Sequence, residues 1–464
     1  MWGSRADATT NHTRKRAAVS RIRCVTIALE MTIEHDACVI GFTGSFGSGC
    51  TTGATLLSSP ANGLLPRVRP RLVRLSAVLK AEWKSRSKGI TATRHDLQSL
   101  GDELRATHGP DYLASISIAK VEDLKQTFDA VFVDGIRNTG EVRWLRERFS
   151  HRFFLIAIDA PTDSRWERCR KEYEGRGESL GSFLDDDARD LDEETPWGQQ
   201  VQLCVDEADV MVSNARKLSA AQLANHLGVK VRDYIELLSG RAPRYPTQNE
   251  VNMNMAYSAS HSTRCLKRQV GAVIAFGKEI VSTGYNENPS TTKPCVEEYG
   301  ECYRDAVRNE YFKNLAQRSA SCPKCGSRIS EIVGPPWRCA GCGTKLDTVF
   351  FPGRAMLWCT ALHAEELAII NARGRDVRGA TLYTTAFPCF LCAQKITNAG
   401  ISEVIFMEPY PDIRAGERFE LAGVTVQRFE GVRSSAFDRI FSRIRQLEED
   451  RINETRRLAG LPKT

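Results

Sequence analysis

The sequence predicts an α/β protein of two domains, the second carrying a metal-held insertion. Three observations lead there. Short apolar runs, Val39-Ile40, Ala130–Val133 and Phe153–Ile158, alternate with helical stretches over 36–240, as in a parallel sheet covered by helices. From 251 onward a helix, a strand pair, and a helix–strand–helix run follow in order. Between them lie four cysteines in two C-x-x-C pairs. A length of 464 residues suits two or three domains, and a hydrophobic share of 42% suits ordinary globular cores.

Residues 1–35 read as a basic tail (Arg5, Arg14, Lys15, Arg16, Arg21 and Arg23), expected to be disordered, or as an over-long start ahead of Met31. No run approaches the length of a membrane span. Six of the 15 cysteines fall in three C-x-x-C pairs, which points to metal binding in a reducing compartment, the cytoplasm. The net charge of +7 is compatible with polyanionic ligands.

The strand at Ala37–Ile40 runs into Gly44-Ser45-Phe46-Gly47-Ser48-Gly49-Cys50-Thr51, the frame of a Walker A loop. Glycines there let backbone N–H groups turn inward and cradle phosphate at a helix N-terminus. Cys50 stands where the phosphate-reaching lysine belongs, so the frame favours nucleotide binding over phosphoryl transfer. Ala130–Asp134 ends in an acid, as a Walker B strand does. Residues 36–240 thus resemble a P-loop nucleotide kinase fold with a degenerate Walker A. The resemblance places lid arginines at Arg165, Arg168 and Arg170. The run Asp185–Asp192 with Glu193 and Glu194 reads as a solvated lid or loop face. Residues 241–250 read as a linker.

In the second domain, 251–464, His363-Ala364-Glu365 and Pro388-Cys389-Phe390-Leu391-Cys392 carry the chemistry. One imidazole and two thiolates fill three corners of a zinc tetrahedron and leave the fourth open. Glu365 is not needed as a ligand and is placed to move protons. A strand over Ala380–Thr385, then Pro-Cys, then a helix sets the thiolates at a positive helix end. Cys322, Cys325, Cys339 and Cys342, in an insertion at about 295–358, read as a closed structural zinc ribbon. Cys295, Cys302 and Cys359 read as free buried thiols. Ala436–Leu458 has the spacing of an amphipathic helix.

The histidine, glutamate and C-x-x-C pattern is that of zinc nucleobase deaminases. Together with Val270–Ala275, Gly284-Tyr285-Asn286 and Glu408-Pro409-Tyr410-Pro411 it resembles the cytidine and deoxycytidylate deaminase family. The domain is therefore expected to have the α/β/α cytidine deaminase-like fold. The resemblance implies that Asn286 contacts the sugar 3′-hydroxyl and that Arg264 and Arg268, with Lys267 beside them, hold phosphate. The two-domain layout is similar to bacterial anti-phage dCTP deaminases. That implies conversion of dCTP and dCMP to deoxyuridine nucleotides, a homo-oligomer, a regulatory nucleotide at the P-loop and an inhibitory small RNA as partners. The residues leave three alternatives open: a dCMP deaminase of ordinary nucleotide metabolism, a deaminase of tRNA or single-stranded DNA, and a nucleotide kinase or regulatory switch with a dead deaminase.

Overall fold

The computed structural model describes residues 37–458, apart from 67, 88–90, 123–127, 192–194, 216–219, 243, 318–319, 330–331, 334–337, 347–358 and 410–412. The basic tail, Glu193, Glu194, Tyr410 and Pro411 lie outside the described residues. The chain divides into two units, Met1–Tyr245 with Ser435–Thr464, and Pro246–Ser434. No helix among the described residues is long and apolar enough to cross a membrane.

The first unit is built on β1 (Cys38–Thr43), β2 (Pro70–Arg74), β3 (Ala130–Asp134), β4 (Phe153–Asp159) and β5 (Val210–Ser213), all parallel, in the order β2-β3-β1-β4-β5. β1 and β3 are buried along their whole length, as their unbroken apolar sequences require of central parallel strands. The loop Gly44–Gly49 joins β1 to α1 (Cys50–Ser58). Gly49 caps that helix at φ 113°, where a Cβ would lie 2.7 Å from Asn214 Nδ2, so the turn needs glycine.

The acidic run departs from expectation. It forms a helix, Leu180–Leu191, in which Asp187 and Asp190 are buried rather than solvated. Asp187 accepts from Arg165 Nη2 at 2.8 Å, and Asp190 is shared by Arg94 and Arg137. A buried carboxylate persists only with such cationic partners. From Ser435 onward the final helix, Ser434–Leu458, groups with the first unit and not with the rest of 251–464. There Arg439 Nη2 donates to Asp209 at 2.6 Å and its guanidinium lies over Phe154. Side chains of Ile444 and Leu447 are outside the described set.

The second unit opens on a helix, Gln248–Ser260, whose start is set by a capping box between Thr247 and Glu250. β6 (Gly271–Phe276) and β7 (Glu279–Tyr285) form an antiparallel hairpin. β8 (Thr381–Ala386) pairs antiparallel to β6, and β9 (Glu403–Glu408) and β10 (Thr425–Arg428) add parallel strands, giving the order β10-β9-β8-β6-β7. Helices α2 (Ala364–Asn371) and α3 (Phe390–Asn398) bury Ala364, Ala368, Cys392, Ala393 and Ile396 in one core with Ala272, Ile274 and Leu382 of the sheet.

Candidate active site

His363 and Cys389 are the N-cap residues of α2 and α3, so two facing helix starts present the metal donors. His363 Nδ1 lies 3.4 Å from Cys389 Sγ and 3.2 Å from Cys392 Sγ. All three donor atoms fall within 4.8 Å of one another. Tetrahedral zinc with bonds of about 2.0–2.3 Å sets its ligands about 3.3–3.8 Å apart, and the two nitrogen–sulfur distances lie close to the short end of that range, so this donor set suits the ion. The Cys389 thiol is pulled down to about 4, first by its hydrogen bond with Cys392 and then by His363, while Cys392 is pushed well up by the same pairing and by burial. A bound cation takes both sulfurs as thiolates.

Glu365 sits in the first turn of α2 and is only 4% exposed. Burial pushes its carboxyl above the usual range. A carboxyl whose affinity for protons is raised is suited to taking up and returning one proton per turnover. No carboxylate that close to the donors is required to hold the metal.

The backbone of α2 is seated on β7 through Gly284. A Cβ there would lie 2.2 Å from Ala364 O and 2.3 Å from Ala368 N. Ser282 Oγ, also on β7, donates to Ala368 O at 2.7 Å. Glycine within a strand marks such a close backbone approach, a signal present in the sequence that strand assignment alone leaves unused. Gly284→Ala is expected to displace α2, costing about 1–3 kcal/mol or more of stability and moving His363 and Glu365 together. Thermal melting and zinc affinity both read this out.

Asn286 closes the loop 263–270. Its Oδ1 accepts from Val270 N at 2.7 Å, its Nδ2 donates to Arg268 O at 2.9 Å, and its own carbonyl accepts from Thr263 Oγ1. Arg264 pairs with Glu287 at 3.4 Å and Glu297 at 3.2 Å, Arg268 with Glu408 at 2.6 Å, and Lys267 with Asp305. These cations stand in one exposed loop, each beside a carboxylate distant in sequence.

In the insertion, Cys322, Cys325, Cys339 and Cys342 converge within 4.8 Å. Cys322 and Cys342 sulfurs lie 3.8 Å apart, and those of Cys325 and Cys339 3.7 Å apart. A ZnS4 tetrahedron with bonds of about 2.3 Å has sulfur–sulfur edges of about 3.8 Å.

In the first unit, a cavity of about 1140 Å³ is lined by Gly44, Ser45, Gly47, Ser48, Gly49, Cys50 and Thr51, with Asp134, Arg137, Arg168 and Asn214. Arg168 donates to Gly47 O at 3.1 Å, Ser48 O at 3.3 Å and Asn214 O at 2.6 Å, so it shapes the loop. Arg165 donates to Phe46 O at 3.1 Å, and Arg170 pairs with Glu174 on the surface.

A model of the cytidine and deoxycytidylate deaminase zinc-binding region matches residues 246–408. Residues 246–408 are therefore similar to the zinc-binding region of cytidine and deoxycytidylate deaminases. It is 28% identical over 288 residues to the deoxycytidylate deaminase of Schizosaccharomyces pombe, covering 61% of this chain and 73% of that protein. It is likewise 28% identical over 167 residues to the deoxycytidylate deaminase of Enterobacteria phage T4, covering 35% and 79%. A UPF0200 protein of Halobacterium salinarum is 32% identical over 182 residues, 39% of this chain and 87% of that protein, so this chain belongs with that group. The deoxycytidylate deaminase relatives indicate a hydrolase that breaks a C–N bond, and this chain brings together the His363, Cys389 and Cys392 donors, with Glu365 buried.

Proposed function

We propose that the protein deaminates free deoxycytidine nucleotides, dCTP and dCMP, to dUTP and dUMP with release of ammonia. The observation that carries this is the buried Glu365 beside the His363, Cys389 and Cys392 donors. When bound, zinc supplies the Lewis acidity that makes water a nucleophile at neutral pH. Glu365 takes the proton from that water, delivers it to the ring N3 and protonates the departing amine. His363, Cys389 and Cys392 hold the ion, and the burial of Glu365 keeps bulk water from competing for its proton.

Asn286 orients the sugar, and Arg264 and Arg268 take the phosphates. Guanidinium forks suit phosphate oxygens, which would displace Glu287, Glu297 and Glu408 as partners. The reading extends to depletion of the deoxycytidine pool during phage infection by an oligomeric cytoplasmic enzyme. The pairing of a deaminase region with a lysine-less P-loop supports that role. Exposed Ile370, Leu391, Ile413 and Leu421 on the second unit support self-association. The direct test is incubation with dCTP, dCMP and cytosine-containing oligonucleotides, followed by uracil analysis. Uracil in the free nucleotides alone supports the reading; uracil in the oligonucleotide alone overturns it in favour of a polynucleotide deaminase.

The ribbon cysteines hold a second, structural zinc with all four positions filled. Cys322→Ser is expected to leave one of two zinc ions per chain and to unseat the small core of Phe312, Ile329 and Leu346. Metal analysis and proteolysis of the insertion measure both effects.

Gly44, Ser45, Gly47, Ser48, Gly49, Cys50, Thr51 and Asp134 bind a nucleotide that regulates the enzyme; the cavity and its inward-turned glycines support this. Asp134 is 4% exposed, and burial pushes its carboxyl up. A raised acid favours the folded state below its unfolded pKa, and that advantage is lost as pH rises through the folded value. Asp134→Asn is therefore expected to raise the melting temperature of nucleotide-free protein at pH 7 and not at pH 4, in paired thermal scans.

A further inference from the structure

We infer that Arg137 supplies the cation the phosphate loop has lost, so that the first unit takes a nucleoside polyphosphate whose terminal phosphates lie between Gly44–Thr51 and the Arg137 guanidinium. This rests on the reading that the loop binds a nucleotide.

In a loop of this frame, a lysine after the last glycine reaches the terminal phosphates. Cys50 offers nothing comparable. Its thiol turns inward, 3.1 Å from Thr43 O and 3.4 Å from Ser48 Oγ, and burial keeps it protonated, its pKa pushed up to about 12. Three other cations line the cavity. Arg168 is committed to loop and Asn214 carbonyls, and Lys171 stands exposed on the helix Thr162–Gly175. Arg137 remains. It follows the carboxyl end of β3 three residues past Asp134, and its charge is felt at both Cys50 and Asp134.

Its present partner can release it. Asp190 also binds Arg94 and accepts from Gln98 Nε2 at 2.5 Å, so two guanidinium groups share one carboxylate. Asp190 therefore keeps two partners, Arg94 and Gln98, when Arg137 turns to phosphate.

An independent observation points to the same ligand. Asp134 Oδ1 is buried in the cavity wall and has no hydrogen-bond partner, while the Thr51 hydroxyl engages the carboxylate. Such an acceptor is satisfied by the divalent cation that accompanies a polyphosphate. Arg137 and that cation would then neutralise the phosphates from two sides, the fork binding two oxygens at once.

The test is calorimetric titration of the full chain with magnesium ATP, which carries no cytosine to deaminate. Wild type is expected to bind, and Gly49→Val, which closes the loop, to abolish binding. Arg137→Ala is expected to weaken binding about tenfold or more, the loss of a charge-assisted pair. Cys50→Lys in the Arg137→Ala background is expected to restore most of it. Should Arg137→Ala fail to fold, Arg137→Lys keeps the charge but not the fork, and a loss of about threefold or more is expected. If Gly49→Val abolishes binding while the Arg137 variants stay within about twofold of wild type, Arg137 is not the cation and the nucleotide reading stands. If wild type does not bind, or binds no better than Gly49→Val, the nucleotide reading fails and this assignment with it.

Discussion

Replacing Glu365 with alanine is expected to lower turnover of dCTP and dCMP by roughly 10²–10⁴-fold, the contribution of a well-placed general acid–base group. Zinc content should not change, because His363, Cys389 and Cys392 form the donor set without it. The size of the effect follows from burial. With the carboxyl 4% exposed, bulk water has little access to stand in for it once it is removed. Glu365→Gln separates charge and shape: it keeps the packing in the first turn of α2 and cannot exchange a proton, so it should be as inactive as alanine. Steady-state ammonia release on metal-assayed samples measures both. A Glu365→Gln enzyme with turnover near wild type would show that the proton travels by another route.

Loss of a donor is expected to act differently. His363→Ala, Cys389→Ser and Cys392→Ser should each lose the ion from this centre and reduce activity to background, whereas Glu365 variants keep it. Two facing helix starts hold the three donors, and none has a spare residue behind it among the described cysteine and histidine clusters. Second effects on folding are expected to be smallest for Cys389, which is half-buried, and largest for Cys392, which is buried in the core with Ala393 and Ile396. Metal content per chain, melting temperature and ammonia release distinguish these outcomes. Added zinc in excess should rescue none of the three fully, since a two-donor site binds zinc far more weakly than a three-donor one.

Features with a fixed local spacing were legible in the chain. Cys389 and Cys392 lie on one helical turn, and Glu365 comes two residues after His363, so their chemistry is visible without the fold. The apolar strands Ala130–Asp134 and Phe153–Asp159 were equally plain, because both faces of a parallel strand must be buried. What depends on partners far along the chain was not. An acidic run such as Asp185–Asp192 looks solvated until Arg165, Arg94 and Arg137 are brought to Asp187 and Asp190. Arg264 and Arg268 look like free phosphate ligands until Glu287, Glu297 and Glu408 are seen beside them. Gly284 looks like a strand irregularity until the backbone of α2 is found within 2.3 Å of its missing Cβ. The final helix was recognised by its spacing, but its place with the first unit rests on Arg439 reaching Asp209, 230 residues earlier.

One measurement bears on all of this: ammonia release from dCTP by protein stripped of metal with a chelator and then reloaded with zinc. The stripped enzyme should be silent, and reloading should restore release in wild type but not in Glu365→Ala that has regained the same metal. Ammonia from metal-free protein, or equal recovery in the two reloaded samples, would contradict a reaction in which His363, Cys389 and Cys392 hold the ion and Glu365 carries the proton.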